Sequence, residues 1–62
     1  MKTAADIETM DAMRRYGGGF VNALAEAAAR ADDENLQLIK STWSEYWERY
    51  ADLAKRAAEG RT

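Results

Sequence analysis

The stretch Met13-Arg14-Arg15-Tyr16-Gly17-Gly18-Gly19-Phe20 decides how this chain folds, because three glycines lie inside an apolar repeat that keeps its phase across them. The apolar residues recur at alternating steps of three and four, and they are Ile7, Met10, Met13, Phe20, Val21, Leu24, Ala27, Ala28 and Ala31. A flexible linker has no reason to keep this period, which is typical of an amphipathic helix. We therefore predict one helix from about residue 4 to about residue 31, about 40 Å long, that passes through the glycines.

Capping residues mark both ends of this predicted helix. Thr3 is suited to accept a backbone N–H as the N-cap, and a carboxylate at Asp6 favours the positive end of the helix dipole. After the helix comes the acidic corner Asp32-Asp33-Glu34-Asn35, in which Asp32 or Asp33 suits the N-cap of the next helix. Because this connection is short, we expect the two flanking arms to pack as antiparallel neighbours.

The second half of the chain has its own helical repeat and a second helix-start signal. Its apolar members are Leu36, Ile39, Trp43, Tyr46 or Trp47, Tyr50, Leu53 or Ala54, and Ala57. The pattern Thr42-x-x-Glu45 matches a capping box, so either a new helix begins at Trp43 or one helix continues with a kink. We predict an arm kinked or broken near Ser41/Thr42, with helices at about 33–40 and about 43–59. The whole chain, 1–62, is then a single all-α domain, an antiparallel helical hairpin that self-associates into a bundle.

Three glycines inside a helix should cost about 1 kcal/mol each relative to alanine, so a close neighbour is expected to offset that cost. In an antiparallel hairpin, Gly17–Gly19 lie opposite Trp47–Tyr50, within the aromatic cluster Trp43, Tyr46, Trp47 and Tyr50. We predict that aromatic rings lie over Gly17 and Gly18, since flat side chains pack closely on a bare backbone. Two other roles stay open: a helix break whose N–H groups hold an anion, and a groove presented to a partner helix.

The small size of the chain favours self-association. A chain of this length buries only about 60 % of its surface on folding, and disulfides, metals or oligomerisation usually compensate. The 62 residues include no cysteine and no histidine, which excludes disulfides and makes a zinc site improbable. We predict no metal and no cofactor, and a dimer or larger assembly.

Composition argues against several classes of function. A net charge of −2 does not fit a nucleic-acid binder, which normally carries a basic excess. No apolar run approaches the about 20 residues that span a bilayer. Without histidine or cysteine, general acid–base and nucleophilic catalysis lack their usual side chains, so we predict that the protein is not an enzyme. A protein–protein interaction module is the expected class.

The residues predicted to take part in interaction are those of the glycine run and the aromatic cluster: Tyr16, Gly17, Gly18, Gly19, Trp43, Tyr46, Trp47 and Tyr50. Not all four clustered rings can point the same way, because Tyr46 lies about 100° from Trp47 around a helix, so one ring is expected at the rim. An alternative function is an oligomer that sequesters a small ligand such as a nucleotide signal, with Arg14, Arg15 and Tyr16 as candidate ligand-binding residues. A purely structural homo-oligomer is a further alternative.

One further clue is the pattern Tyr16-Gly-Gly-Gly-Phe-Val, followed by Ala23-Leu24-Ala25, Ala31-Asp32, Glu45-Tyr46-Trp47 and Tyr50-Ala51. Over residues 9–54 it resembles a group of small, mostly uncharacterised all-helical accessory proteins of tailed bacteriophages and prophages. The resemblance implies a viral protein in the bacterial cytoplasm. It also implies an anti-defence role, in which the protein binds and inhibits a host component such as a CRISPR effector. It identifies no functional residues.

Overall fold

A computed structural model describes residues 2–60, which form four helices and no strand. The helices are α1 (Ala4–Tyr16), α2 (Gly19–Arg30), α3 (Asp33–Thr42) and α4 (Ser44–Glu59). The all-helical class is therefore confirmed for the described residues, whereas both ends of the predicted domain, 1–62, lie outside them. The radius of gyration is 11.0 Å, and the extents are 35 × 25 × 18 Å.

The predicted continuous helix over about 4–31 is wrong, because the chain reverses at Gly17 and Gly18. Gly17 (φ −83°, ψ 156°) and Gly18 (φ −77°, ψ −170°) have extended backbones. The amide of Gly17 donates to the carbonyl of Met13 over 2.9 Å, which closes α1. A reversal avoids the cost of helical glycine and lets α2 bury Val21 against the same core as α1.

Contacts between α1 and α2 show that these two helices form the antiparallel hairpin. The side-chain amide of Asn22 donates to the Arg14 carbonyl, and the Arg14 guanidinium lies 2.7 Å from the Glu26 carboxylate. At the other end, the Lys2 ammonium donates to the Ala31 carbonyl over 2.6 Å. The sequence predicts a hairpin between the arms on either side of the acidic corner, residues 32–35. The hairpin instead lies within the first half of the chain, between α1 and α2.

The core lies where α1 packs between α4 and α2, its two main neighbours. Its buried apolar residues are Met10, Ala12, Met13, Val21, Ala25, Ala28, Leu36, Trp47 and Tyr50. Two methionines contribute at the centre, where their flexible thioethers fill irregular gaps between helices. The apolar repeat therefore marks part of the core on both sides of the glycines, namely Met10, Met13, Val21 and Ala28. It also includes Ile7 and Phe20, which are exposed, and it does not distinguish one straight helix from two that fold back.

The helix starts are capped largely as their sequences predict. Thr3 and Asp6 form a complete capping box, with each side chain accepting the other's backbone N–H. The Asp32 carboxylate accepts the amide of Asn35 over 2.8 Å and caps α3. The box predicted from Thr42 is not made: the helix break lies at Trp43, and no side chain caps α4. The backbone hydrogen bonds flanking Trp43, to Ile39 and from Trp47, are both 2.9 Å, so the junction is a local kink rather than a loop.

The predicted stacking of aromatic rings on the glycines is also wrong. Lys40 Nζ lies 3.0 Å from Asp6 and 5.7 Å from the ring centroid of Trp47, which places Trp47 near the Asp6 end of α1. Gly17 is about 16 Å farther along the helix direction. A Cβ added at Gly18 or Gly19 would meet no atom within 4 Å, so nothing packs on either residue. A Cβ at Gly17 would instead collide with the Val21 side chain and the Met13 carbonyl.

This difference between the glycines predicts opposite effects of alanine substitution. Gly17→Ala should destabilise the fold by about 1–3 kcal/mol, because the added methyl group forces Val21 and the backbone apart. Gly19→Ala, in open space at the first residue of α2, should stabilise it by about 0.4–1 kcal/mol by restricting the unfolded chain. Urea unfolding followed by circular dichroism measures both. Equal effects at the two positions would contradict the close approach at Gly17.

Candidate interaction surface

Three aromatic rings meet outside the core, at the place where α2 begins and α4 follows α3. The ring centroid of Phe20 lies 5.2 Å from that of Trp43 and 5.7 Å from that of Tyr46, with interplanar angles of 71° and 62°. Trp43 and Tyr46 are 6.2 Å apart. The two edge-to-face pairs of Phe20 have a favourable geometry for aromatic rings, and together with the tilted Trp43–Tyr46 pair they hold the three rings in a defined arrangement.

The cluster is open to solvent on one side. Phe20 is 53 % exposed and Trp43 is 37 % exposed, while Tyr46 is partly buried and packs against the core. Single exposed apolar side chains are common on protein surfaces, but contiguous ones are not. The rings are therefore held together by contacts within the fold and still present apolar surface to the outside.

An apolar groove between α2 and α3 continues from Trp43 away from the other two rings. Its remaining apolar lining comes from Ala27 on α2, from Ala31 directly after α2, and from Leu38 and Ile39 on α3. Leu38 is 56 % exposed. We call the combined surface the apolar face, which comprises Phe20, Ala27, Ala31, Leu38, Ile39, Trp43 and Tyr46.

Two arginines border the apolar face. Arg30 lines the groove beside Ala27 and Ala31. At the aromatic cluster, the Arg49 guanidinium carbon lies 5.9 Å from the centroid of the Tyr46 ring, within the range of a cation–π interaction. The face thus combines an apolar centre with basic edges.

The residues predicted for interaction are divided between the core and two separate surfaces. Trp47 and Tyr50 are buried, 7 % and 9 % exposed, and serve the core. Trp43 and Tyr46 lie in the apolar face. Tyr16 is 57 % exposed and lines a different groove, between α1 and α4.

The residues predicted for ligand binding do not converge on one site. Arg14 pairs with Glu26 on α2 at 2.7 Å, whereas Arg15 pairs with Asp11 on its own helix at 3.4 Å. Tyr16 and Arg15 share the α1–α4 groove with the carboxylates of Glu8 and Asp11. Each guanidinium is thus already beside a carboxylate, which weakens its attraction for an anionic ligand.

Of this surface, sequence reasoning predicted only Trp43 and Tyr46 as site residues. It missed Phe20, Ala27, Ala31, Leu38 and Ile39 in the face and Arg30 and Arg49 at its border. Leu38 and Ile39 are adjacent on a helix, where neighbouring residues point about 100° apart, so both cannot face one core. The same argument applies to Phe20 and Val21, of which only Val21 is buried. Pairs of adjacent large apolar residues within a predicted helix were the available signal. No sequence pattern placed Arg49 against Tyr46.

A buried ion pair positions the elements that carry the face. Asp6 is 6 % exposed, and its carboxylate accepts hydrogen bonds from the Lys40 ammonium of α3 and from the backbone N–H of Thr3. Burial raises the pKa of the Asp6 carboxyl group, but these two hydrogen bonds and the positive charge of Lys40 lower it by more, so the pKa lies below its ordinary value of 3.8. The same ammonium lies near the ring of Trp47, so a single lysine connects α3 with α1 and α4.

In the described part of the chain, no group of three or more acidic side chains is arranged to hold a metal ion. None of its helices combines the length and the apolar character that crossing a bilayer requires. No protein family, curated protein or solved structure matches this chain.

The lowered pKa of Asp6 predicts a specific dependence of stability on pH. Since the folded pKa lies below the unfolded one, this stabilisation is complete above the unfolded pKa and is lost as pH falls through the folded pKa. The free energy of unfolding should therefore decline below about pH 4. Asp6→Asn should lower stability at pH 7 by about 1–3 kcal/mol and make the decline in acid shallower.

Asp11→Asn is the matched control for this measurement, because the Asp11–Arg15 pair is exposed and within one helix. Such a pair contributes about 0.3–0.5 kcal/mol, so the control should follow the parent protein closely. Urea titrations between pH 2 and pH 7 give the free energies. Parallel curves for Asp6→Asn and the parent would show that Asp6 does not cause the acid sensitivity.

Proposed function

We propose that this protein acts as a binding module rather than as an enzyme, and that it contacts another protein through the apolar face. The observation that carries this proposal is the cluster of Phe20 and Trp43, which stay exposed while making ordered ring contacts with Tyr46. A chain with so small a core gains stability from each large side chain it buries. The exposure of Phe20 and Trp43 forgoes that stability, and coverage by a partner would explain it.

The composition of the face supports this role. Tryptophan, tyrosine and arginine are the residues that most often dominate the free energy of protein–protein binding, and they act best at the centre of an apolar patch with a polar rim. The face has Trp43 and Tyr46 at its centre and Arg30 and Arg49 at its edges. Because the ring contacts already restrict these side chains, less side-chain entropy is lost on binding.

The setting of the proposed interaction is a bacterial cell. The resemblance to phage accessory proteins supports a partner among host proteins, with a component of a defence system such as a CRISPR effector as a candidate. The quoted pattern Tyr16-Gly-Gly-Gly-Phe-Val contains the chain reversal and Phe20 of the apolar face. In this proposal the protein is cytoplasmic and inhibits its partner by occupying a surface.

A structural homo-oligomer is the second candidate, since a further copy of the chain would also cover the exposed rings. In that case the partner is another copy of the chain. Static light scattering distinguishes the two candidates by the molar mass in solution, because only the homo-oligomer buries the apolar face against further copies of the chain. Sequestration of a small ligand gains no support from the contacts of Arg14 and Arg15.

The test of the proposed function uses two residues of equal exposure. Leu38 lies in the face and Ile7 lies on α1 outside it, and each is 56 % exposed. A photo-crosslinking amino acid at Leu38, introduced in bacterial cells, should capture a defined protein band, whereas the same amino acid at Ile7 should capture none. Equal crosslinking at both positions, or none at either, would remove the basis of the proposal.

Replacing the rings by alanine measures how much each ring contributes to the free energy of binding. Phe20→Ala and Trp43→Ala should each weaken binding to the captured partner by about 2 kcal/mol or more, a loss of about 30-fold in affinity. Ile7→Ala is the matched control and should leave the affinity within about twofold of the parent. Calorimetric titration measures the affinities, and circular dichroism verifies that each variant remains helical.

A further inference from the structure

The ion pairing of the arginines divides them into two groups. Within residues 2–60 there are five, and three of them lie within 4.0 Å of a carboxylate: Arg14 with Glu26, Arg15 with Asp11, and Arg56 with Asp52. The other two, Arg30 and Arg49, have no such partner among the described residues. They are also the two that border the apolar face.

This arrangement creates a basic border on a chain that is acidic as a whole, with a net charge of −2. Arg49 lies against the Tyr46 ring, and an arginine held over an aromatic ring keeps its N–H edges available for a carboxylate. The groove itself contains no acidic side chain: besides its apolar members it is lined by Arg30, Asn35 and Thr42. The face is therefore complementary to a surface that is apolar at its centre and acidic at its edges.

We propose that the occupant of the apolar face is an amphipathic helix of another protein that carries carboxylates on both sides of its apolar stripe. This inference rests on the proposed function, since it names the chemistry of the partner at the same face. The apolar side chains of the helix lie against Leu38, Trp43 and Phe20. Its carboxylates pair with Arg30 at one edge and with Arg49 at the other.

The shape of the groove favours a helix over an extended peptide. An added strand needs a sheet edge, and the described residues contain no strand. Here the groove is bounded by two helices, and Ala27 on α2 and Ala31, the residue that caps its C-terminal end, line it with small side chains. Small residues in a groove let another helix approach within the usual interaxial distance of about 8–10 Å.

The charges disfavour a second copy of this chain as the occupant. A two-fold symmetric dimer brings the same patch of each copy together. Because the groove lining has arginine and no carboxylate, such a contact would place like charges near one another, and juxtaposed like charges in an interface are costly. A partner with acidic edges avoids that cost and neutralises both arginines.

The test uses two synthetic amphipathic peptides of about 14 residues, or about four helical turns. Both carry the same leucine stripe, which is flanked by glutamate in one peptide and by lysine in the other. Fluorescence anisotropy at low salt should show that the acidic peptide binds at least about 10-fold more tightly, and the difference should shrink as sodium chloride is added. The double variant Arg30→Glu/Arg49→Glu should reverse the preference.

The matched control is Arg15→Glu/Arg56→Glu, which changes the net charge equally at arginines away from the face and should keep the preference for the acidic peptide. Loss of that preference in the control would show that only net charge matters and would overturn the inference. Equal binding of the two peptides, or binding of neither, would overturn it as well, and so would a dimer that Leu38→Glu dissociates.

The two proposals fail in different ways. If a photo-crosslinker at Leu38 captures a protein while the two peptides bind equally, the face is an interface and only the acidic helix is wrong. If crosslinking at Leu38 and Ile7 is the same, the proposed function itself fails.

Discussion

The close approach of α1 and α2 at Gly17 is the constraint on which the rest of this structure depends. The Val21 side chain and the Met13 carbonyl occupy the space that a Cβ at Gly17 would need. The chain can therefore turn back directly after α1, and α2 buries Val21, Ala25 and Ala28 beside the methionines of α1. The same reversal brings Phe20 to the rings of Trp43 and Tyr46, so the candidate surface exists only because the helix ends where it does.

A second constraint joins the two halves of the chain. The Asp6 carboxylate is satisfied by its own capping box and by Lys40, and Lys40 in turn lies near the ring of Trp47. A buried carboxylate without these partners would be strongly unfavourable, so the pair specifies how α3 is placed against α1. Since the kink at Trp43 follows α3 directly, the position of this lysine also affects where the exposed rings lie. Stability and the proposed binding role are thus coupled through one ion pair.

The apolar face keeps part of the aromatic side chains outside the core. Two aromatic residues of α4, Trp47 and Tyr50, fill the core, while Trp43 and Tyr46 remain at or near the surface with Phe20. The arginines of residues 2–60 follow the same division: Arg14, Arg15 and Arg56 pair with carboxylates, whereas Arg30 and Arg49 have none within 4.0 Å among these residues. A small helical protein can thereby present a defined apolar centre with a basic rim.

The sequence by itself determined the helical class, the cap at Thr3, a second cap at Asp32 or Asp33 and the presence of a break near residue 42, because these follow from local propensity and capping chemistry. The period of 3.6 residues identified only part of the core, since it included the exposed Ile7 and Phe20 and missed the buried Ala12 and Ala25. The sequence did not determine the course of the chain at Gly17–Gly19, since a continuous helix and a reversal preserve the same apolar phase. Only the tertiary structure decided which aromatic rings are buried, that Phe20 lies beside Trp43, and that Arg49 rests on Tyr46. Those contacts join residues far apart in the chain, and their geometry depends on how the helices pack rather than on any local pattern.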